Sequence, residues 1–246
     1  MHDTFGNETV TPDERKQRIS KVFAAVAGRY DLMNDLMSFG IHRLWKRRLV
    51  SSLTLRPHST VVDLAGGTGD VARAINKKYN KNNNIILVID ASWPMMATGR
   101  TKGTNLTHWV AAEGEKLPLA DNTIDLVTLS FGLRNMTNIQ ACLTETLRCL
   151  KPGGQLVCLE FSTPVFWLKP FYDLYSRFVI PRLGALVAGE PAAYQYLIDS
   201  IRKFPNQQEL SHIFEQTGFT DVTFKNLSFG ISALHYGTKP VDTAAP

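Results

Sequence analysis

The spacing of apolar residues predicts a helical segment at the beginning of the chain. The run Thr11-Pro12-Asp13-Glu14 is typical of a helix start, because a hydroxyl cap is followed by proline and then by acidic residues. Apolar residues then recur at helical spacing, at Ile19, Val22, Phe23, Val26 and Tyr30. A second helical pattern covers residues 41–53. We therefore predict that residues 1–55 form a helical lid ahead of the main fold.

Short apolar runs alternate with helical patterns between residues 56 and 161. This alternation predicts strands at 60–65, 85–89, 108–111, 124–130 and 155–161, and helices at 70–79, 94–100 and 139–150. Repeated βα units of this length indicate an α/β fold, in which helices cover both faces of a parallel sheet. Residues 56–161 are therefore the expected core of the protein.

Residues 162–203 interrupt the alternation. This segment is rich in aromatic residues, at Phe166, Trp167, Phe171, Tyr172, Tyr175, Phe178, Tyr194 and Tyr196. We predict a helical insertion here. A predicted helix at 205–218 and strands at 222–227 and 231–238 then return the chain to the core, so that residues 204–238 complete a single structural domain and 239–246 form a tail.

Composition places the chain among globular proteins. Of its 246 residues, 44% are hydrophobic and 20% are charged, and no apolar run reaches the ~18 residues that a membrane-spanning helix needs. Cys142, Cys149 and Cys158 form no CxxC pair, so that neither a disulfide framework nor a metal site is expected. Since no signal-like pattern is visible at the N-terminus, we expect a cytoplasmic protein.

The net charge of +5 leaves two interpretations of the basic residues open. Arg43, Lys46, Arg47 and Arg48 lie beside Trp45 in the second helical pattern, where they could contact anionic lipid at an inner-membrane surface. A solvated helix face explains them equally well. No basic tail or RNA-binding module is apparent, so nucleic acid is not an expected partner.

A glycine-rich turn, AGGTGD at 65–70, lies between a predicted buried strand and a predicted helix. An open α/β sheet binds its ligand at such a turn, and Asp90 ends the next strand about 20 residues on, where a carboxylate can accept from ribose hydroxyls. The spacing Gly67-x-Gly69-x-x-Ala72 also satisfies the dinucleotide fingerprint, so the motif alone does not choose between NAD and S-adenosylmethionine.

Charge around the turn favours S-adenosylmethionine. A dinucleotide would place its pyrophosphate against the turn, and Asp63 and Asp70 would repel it. S-adenosylmethionine instead brings a sulfonium and an ammonium group, which these carboxylates would attract. The alternative is that Asp70 only caps the helix and that the glycines only form a tight turn.

Further motifs resemble those of a known family. Residues 114–127 and LKPGG at 150–154 resemble segments of class I methyltransferases. YDLMND at 30–35, HRLW at 42–45, DLAGGTGD at 63–70, SFGLRN at 130–135 and LEFS at 159–162 look like signatures of the ubiquinone/menaquinone C-methyltransferase family, and the match runs from about residue 22 to 236. The resemblance implies a Rossmann-like fold whose seven-stranded, mostly parallel sheet has one antiparallel strand. It also implies S-adenosylmethionine-dependent methylation of a ring carbon of a prenylated quinol.

The resemblance also implies which residues line the cofactor site. These are Asp63, Gly66, Gly67, Thr68, Gly69, Asp90, Ala91, Glu113, Gly114 and Ser130. Glu113 departs from the family pattern, in which an amide or an aspartate is usual. Its carboxylate can still accept a hydrogen bond from an adenine amino group, so we expect binding to survive.

Methylation of a ring carbon needs a neighbouring phenol oxygen in its anionic form, because the oxyanion raises the electron density of the ring. Free phenols have a pKa near ~10, so the site must favour the phenolate. The resemblance associates Arg134 and Asn135 with that oxygen. Tyr30 and His235 are weaker candidates for a catalytic role, and Glu160 is a candidate for moving the proton or for anchoring a loop.

Several alternatives remain open at this stage. The acceptor could be another small molecule, the glycine turn could serve an NAD-dependent oxidoreductase, or the chain could be a non-catalytic scaffold of a biosynthetic complex. The sequence does not choose between a benzoquinol and a naphthoquinol. We expect the lid and the insertion to enclose a prenyl tail, and contacts with other quinone-biosynthesis proteins or a homodimer are further expectations.

Overall fold

The computed structural model describes residues 4–5, 8–29, 34–35, 38–103, 108–175, 178 and 191–241. A small antiparallel hairpin, Thr4–Phe5 with Glu8–Thr9, opens the chain. The helices are α1 (Pro12–Val26), α2 (Ile41–Ser52), α3 (Asp70–Lys78), α4 (Trp93–Thr101), α5 (Ile139–Cys149), α6 (Pro191–Lys203) and α7 (Gln207–Thr217). The strands are β1 (Thr60–Leu64), β2 (Ile85–Asp90), β3 (His108–Ala111), β4 (Ile124–Ser130), β5 (Leu150–Phe161), β6 (Thr220–Leu227) and β7 (Ser232–Thr238).

These seven strands form one sheet in the order β3-β2-β1-β4-β5-β7-β6. The strands from β3 to β5 pair in parallel, and β7 is antiparallel to both of its neighbours. The predicted fold class is therefore confirmed. Because the chain order reverses between β1 and β4, the carboxyl ends of these two strands flank the crevice where such sheets bind ligands.

Two apolar layers hold the helices against the sheet. On one face, Trp45 and Leu49 of α2 pack with Ile75 of α3. On the other, Leu143 of α5 packs with Phe214 of α7. Because the middle strands are covered on both sides, they are mostly apolar, and their buried polar residues Asp63 and Thr128 are hydrogen-bonded to each other.

Helix α1 begins as the sequence predicted and extends over the crevice. Thr11 and Glu14 form a reciprocal capping box, and Pro12 occupies the first turn, where its missing N–H removes no hydrogen bond. Arg15 of α1 donates from Nη1 to the carbonyl oxygen of Met136 at 2.9 Å, just beyond the carboxyl end of β4. This hydrogen bond fastens the predicted lid to the ligand-binding edge of the sheet.

Two predicted segments differ from the structure in their bounds. Leu150 begins β5 instead of ending α5, and residues 151–154 bulge out between the pairs Ile124–Leu150 and Leu126–Gln155. Pro152 has no N–H to donate to a neighbouring strand, and the φ of Gly153 is +76°, so this run loops out.

In the predicted insertion, residues 169–175 and α6 are helical, and residues 176–177 and 179–190 lie outside the described residues.

Candidate cofactor and acceptor site

The glycine turn between β1 and α3 needs its glycines for backbone conformation and for space. Gly67 and Gly69 have φ values of +55° and +75°. A Cβ atom on Gly69 would lie 2.7 Å from the Trp109 ring, and one on Gly67 would lie 3.2 Å from the Met95 side chain. The turn therefore presents bare backbone toward the crevice, which allows a ligand to approach closely.

Asp90 at the end of β2 is oriented by two backbone amides. Its Oδ2 accepts from the N–H of Gly67 and its Oδ1 from the N–H of Ser92, both at 2.7 Å. Burial raises the pKa of Asp90 above its ordinary value, and these two hydrogen bonds oppose that shift. The carboxylate thus joins the glycine turn to the start of α4.

A cavity of about 550 Å³ extends from this carboxylate along the carboxyl edge of the sheet. The predicted cofactor residues that line it are Gly67, Asp90, Ala91, Glu113, Gly114 and Ser130. The hydroxyls of Ser92 and Ser130 also face this region, and both are buried without a hydrogen-bond partner among the described residues. Such orphaned donors are expected where a polar ligand binds, so the cavity fits a nucleoside cofactor.

Asp63 is buried and does not line the cofactor cavity; it hydrogen-bonds to β4 and α3, which flank the turn. Its Oδ1 accepts from the Thr128 hydroxyl at 2.9 Å, and its Oδ2 accepts from the N–H of Ala72 at 3.1 Å. Burial, with the Asp70 carboxylate nearby, raises the pKa of Asp63 to about 7. Asp63, Gly66 and Thr68 line a separate, narrow cavity under the turn.

The negative charge of Asp70 is compensated by a neighbouring lysine. Lys46 of α2 places its Nζ 2.6 Å from Asp70 Oδ2. Burial alone would raise the pKa of Asp70, but the Lys46 ammonium outweighs it and holds that pKa below its ordinary value. Since Lys46 neutralises Asp70, the carboxylates around the turn do not by themselves distinguish a sulfonium from a pyrophosphate. The predicted repulsion of a pyrophosphate by uncompensated charges on Asp63 and Asp70 is therefore wrong.

Glu113, the departure from the family pattern, also lines the cofactor cavity. Its Oε1 forms an ion pair with the ammonium of Lys16 on α1. Both residues line the cavity, so the pair forms part of its wall. Because both side chains are about half exposed, the ion pair contributes little to the stability of the fold.

Arg134 follows β4 and is buried. Its Nη1 donates to Glu160 Oε1 at 2.8 Å and to the carbonyl oxygen of Phe131 at 2.5 Å. The guanidinium also lies 5.2 Å from the centroid of the Phe161 ring. Its Nε is buried and has no hydrogen-bond partner among the described residues. One donor of Arg134 thus remains unsatisfied beside a fixed ion pair.

Asn135 is held by a residue that the sequence argument did not assign to the site. The hydroxyl of Tyr196, on α6, donates to Asn135 Oδ1 at 3.0 Å. Tyr196 is buried, and burial raises the pKa of its phenol. In the sequence, Tyr196 stands only as one of the aromatic residues of the predicted insertion, and no local pattern indicates that α6 packs against the residues that follow β4.

A second cavity of about 310 Å³ lies beside the first. Its lining is mostly aromatic and aliphatic and includes Phe39, Ile41, Trp45, Phe131, Phe161, Leu168, Phe171, Tyr172, Tyr175, Leu197, Ile201 and Ile231. Phe131 lines both cavities, Asn135 lines the cofactor cavity, and Arg134 lines the apolar one. Two consecutive residues therefore face two different cavities.

His235 lies elsewhere. It is buried in β7, its Nε2 lies 3.0 Å from the carbonyl oxygen of Gln207, and its ring packs between Phe214 and Phe224. Burial lowers the pKa of its imidazole, and the side chain lines neither cavity. These are the contacts of a core histidine. Tyr30, the other weak catalytic candidate, lies outside the described residues.

The family model of the ubiE/COQ5 methyltransferase family matches residues 11–239. The chain belongs to this family. It is accordingly an S-adenosylmethionine-dependent methyltransferase, as the sequence predicted, and the alternative of an NAD-dependent oxidoreductase is wrong. Family membership also confirms the resemblance from which the site residues were inferred, whereas their individual roles stay predictions.

Relatives of this ubiE/COQ5 family member support the same conclusion. The chain is 51% identical to the ubiquinone/menaquinone biosynthesis C-methyltransferase UbiE of Rubrivivax gelatinosus, over 96% of this chain and 92% of the relative. It is 44% identical to the mitochondrial 2-methoxy-6-polyprenyl-1,4-benzoquinol methylase of Caenorhabditis elegans, over 96% and 85%. Among solved structures, a SAM-dependent methyltransferase of Thermotoga maritima shares the fold, with a TM-score of 0.64, 20% identity and coverage of 90% of this chain and 99% of that one.

Proposed function

We propose that this enzyme transfers the methyl group of S-adenosylmethionine to a ring carbon of a prenylated quinol. The observation that carries the proposal is the meeting of two cavities at Phe131. One is formed by the glycine turn, Asp90 and orphaned hydroxyls, and the other is almost wholly apolar. The names of both relatives describe methyltransferases that act on quinones or quinols, and that of the Caenorhabditis elegans enzyme specifies a polyprenyl benzoquinol, which has a polar ring and an apolar tail.

The acceptor ring belongs at the boundary between the cavities. Asn135 lines the cofactor cavity, and the preceding residue, Arg134, lines the apolar cavity. A ring at the boundary between the cavities would therefore contact both side chains. When bound, S-adenosylmethionine supplies an electrophilic methyl group on a sulfonium. The chain's own task is to position the ring carbon in line with that group and to exclude water.

Arg134 is suited to favour the phenolate form of the acceptor. Its Nη1 is committed to Glu160, which fixes the guanidinium in place, whereas its Nε is buried and has no hydrogen-bond partner among the described residues. A quinol oxygen that accepts from Nε would satisfy this donor, and a hydrogen bond to the anionic form of the oxygen would lower the pKa of the phenol. Tyr196 fixes the Asn135 amide at 3.0 Å, so the second polar group is also held in place.

The apolar cavity would take the prenyl tail. Its walls come from α2, which includes Trp45, and from the helical residues 169–175 and α6 of the predicted insertion. A cavity with aromatic walls binds an isoprenoid chain by burying its apolar surface. This proposal gives the lid and the insertion a direct function in substrate binding.

Methyl transfer to defined quinols tests the proposal. Methyl label from S-adenosylmethionine should reach a ring carbon of demethylmenaquinol, of 2-polyprenyl-6-methoxy-1,4-benzoquinol, or of both. Each acceptor is compared with its tail-free form, which should react with a lower kcat/KM. Arg134→Met should abolish transfer, whereas Arg100→Met, at an exposed position on α4 that lines neither cavity, should leave it unchanged. Transfer to tail-free and tailed acceptors at equal kcat/KM would overturn the assignment of the apolar cavity.

We also propose that the mouth of the apolar cavity lies on a bilayer surface. Phe39 and Phe171 line that cavity and are 74% and 70% exposed. Further exposed apolar side chains, Leu44, Phe166 and Leu174, belong to the same two segments. A lipid-soluble acceptor would enter the cavity directly from the membrane. Among the described residues, no helix is long and apolar enough to cross a membrane, so the proposed contact is peripheral.

The basic residues on α2 contribute less to this contact than the sequence suggested. Arg43 is paired with Asp35, and Lys46 with Asp70. Arg47 and Arg48 are exposed on the same helix and are placed to meet anionic headgroups. A homodimer and other quinone-biosynthesis partners stay predictions.

A further inference from the structure

Lys46 connects the helical lid to the cofactor turn. It belongs to α2, yet its side chain is only 15% exposed and reaches Asp70 at the first position of α3. It also lines the narrow cavity of about 20 Å³ beneath the turn, together with Gly66, Gly67 and Ser130. A long cationic side chain from α2 therefore ends at Asp70, the residue that follows the glycine turn.

The narrow cavity adjoins the cofactor cavity. Ala65, Gly67 and Ser130 line both of them. Asp90 and Glu113, which are the groups suited to a nucleoside, line only the larger one. A ligand whose nucleoside lies along Asp90 and Glu113 would therefore direct its other end toward the glycine turn and Lys46.

The charges beneath the turn indicate which group that end presents. The described residues that line the narrow cavity include two acids, Asp63 and Asp70, and a single base, Lys46. The amino-acid end of S-adenosylmethionine carries an ammonium and a carboxylate. The ammonium can lie near the carboxyl groups, whereas the carboxylate needs a cationic hydrogen-bond donor, and among the described residues of this lining that donor is Lys46.

We propose that Lys46 binds the carboxylate at the amino-acid end of the cofactor while it retains its ion pair with Asp70. A lysine ammonium has three N–H donors, so it can serve both carboxylates at once. Asp70 then acts as a positioning residue, which holds the Lys46 side chain against the turn. The inference rests on the identity of the cofactor and is independent of the quinol assignment.

Binding of the carboxylate by Lys46 would also restrain α2 in the predicted lid. Helix α2 contributes Trp45 to the wall of the apolar cavity, directly before Lys46. Cofactor binding would therefore hold in place the helix that forms the acceptor site.

Calorimetric binding of two product-like ligands tests the inference without turnover. S-adenosylhomocysteine has the carboxylate, and its decarboxylated analogue differs only by lacking it. Lys46→Met keeps the apolar stem and removes the charge. We expect the variant to bind S-adenosylhomocysteine at least about tenfold more weakly and the decarboxylated analogue within about twofold of the unmodified protein. Lys46→Arg should recover most of the lost affinity.

A control variant separates carboxylate binding from support of the turn. Arg73 donates from Nη1 to the Thr68 carbonyl oxygen at 2.7 Å, so it holds the same turn from α3 but lines neither cavity. Arg73→Met should weaken both ligands by the same factor. If Lys46→Met also weakens both equally, Lys46 only supports the turn and the inference fails. Should Lys46→Met not fold, Lys46→Met with Asp70→Asn removes the unpaired acid, and the same comparison of the two ligands applies.

Discussion

The carboxylate of Glu160 holds the guanidinium of Arg134 at 2.8 Å in a buried ion pair. It also accepts the backbone N–H of Arg134 at 3.3 Å. Glu160 lies near the end of β5 and Arg134 follows β4, so the parallel pairing of these two strands brings the residues together. The orientation of the proposed catalytic arginine is therefore fixed by a carboxylate on the neighbouring strand.

Breaking this ion pair should affect folding and activity in separable ways. Arg134→Met leaves a buried carboxylate without its partner and should lower the free energy of unfolding by about 3–5 kcal/mol. Adding Glu160→Gln should restore most of that stability, because no buried charge then remains, but it should not restore methyl transfer. Urea unfolding and a label-transfer assay measure the two effects.

The half-exposed pair of Lys151 and Asp125 provides the control for this experiment, since Lys151→Met should cost no more than about 1 kcal/mol. Recovery of full activity in the Arg134→Met, Glu160→Gln double variant would show that Arg134 has no function in the reaction beyond neutralising Glu160.

Asp63 should make the folded protein less stable as the pH rises. Burial, reinforced by Asp70, raises its pKa to about 7 in the folded state, well above its ordinary value of 3.8. Between these values the folded protein holds a proton that the unfolded chain has lost. The stabilisation is therefore complete below about pH 4 and is lost as the pH rises toward 7.

Asp63→Asn removes this titration and keeps the shape of the side chain. Between pH 5 and 7, the difference in unfolding free energy between the natural protein and the variant should change by about 1.4 kcal/mol per pH unit, in favour of the variant at higher pH. Urea unfolding at several pH values measures it. A difference that is constant with pH would mean that Asp63 is already ionised throughout this range.

His235 should prove to be structural. His235→Leu removes a hydrogen bond to the Gln207 carbonyl oxygen and should cost about 1 kcal/mol of stability, with kcat/KM within about twofold of the natural value. Asn135→Ala, which alters a residue of the cofactor cavity, provides the contrast and should lower kcat/KM by at least about tenfold. A loss for His235→Leu as large as that for Asn135→Ala, at unchanged stability, would restore histidine as a catalytic candidate.

The exposed rim of the apolar cavity should contribute to membrane binding. Phe171→Ser removes a large apolar side chain from this rim and should reduce partitioning onto anionic phospholipid vesicles by roughly tenfold. Ile85→Ser is the matched control, because Ile85 is 49% exposed but lies at the start of β2, at the opposite edge of the sheet. Co-sedimentation with vesicles measures both, and equal losses would contradict the proposed orientation.

Much of the fold was predictable because local chemistry determines it. The strands at 108–111 and 124–130 match their predicted bounds, since each is a short run rich in apolar, β-branched or aromatic residues. The glycine turn and Asp90 were predictable for a related reason. A left-handed backbone at Gly67 and Gly69 and a carboxylate at the end of the next strand are requirements of one βαβ unit, and each is visible within about 30 residues of sequence.

Local sequence patterns were sufficient to predict the order of strands and helices along the chain, the cofactor turn and the family to which the chain belongs. The pairing of charges, in contrast, became visible only in the folded protein. Lys46 neutralises Asp70, Glu160 fixes Arg134, and Tyr196 holds Asn135, and each contact joins elements that are adjacent in space but not in sequence. The apolar cavity likewise forms where α2, residues 169–175 and α6 converge. Periodicity records which face of an element is buried, but the partner of a buried charge depends on how the elements pack against one another.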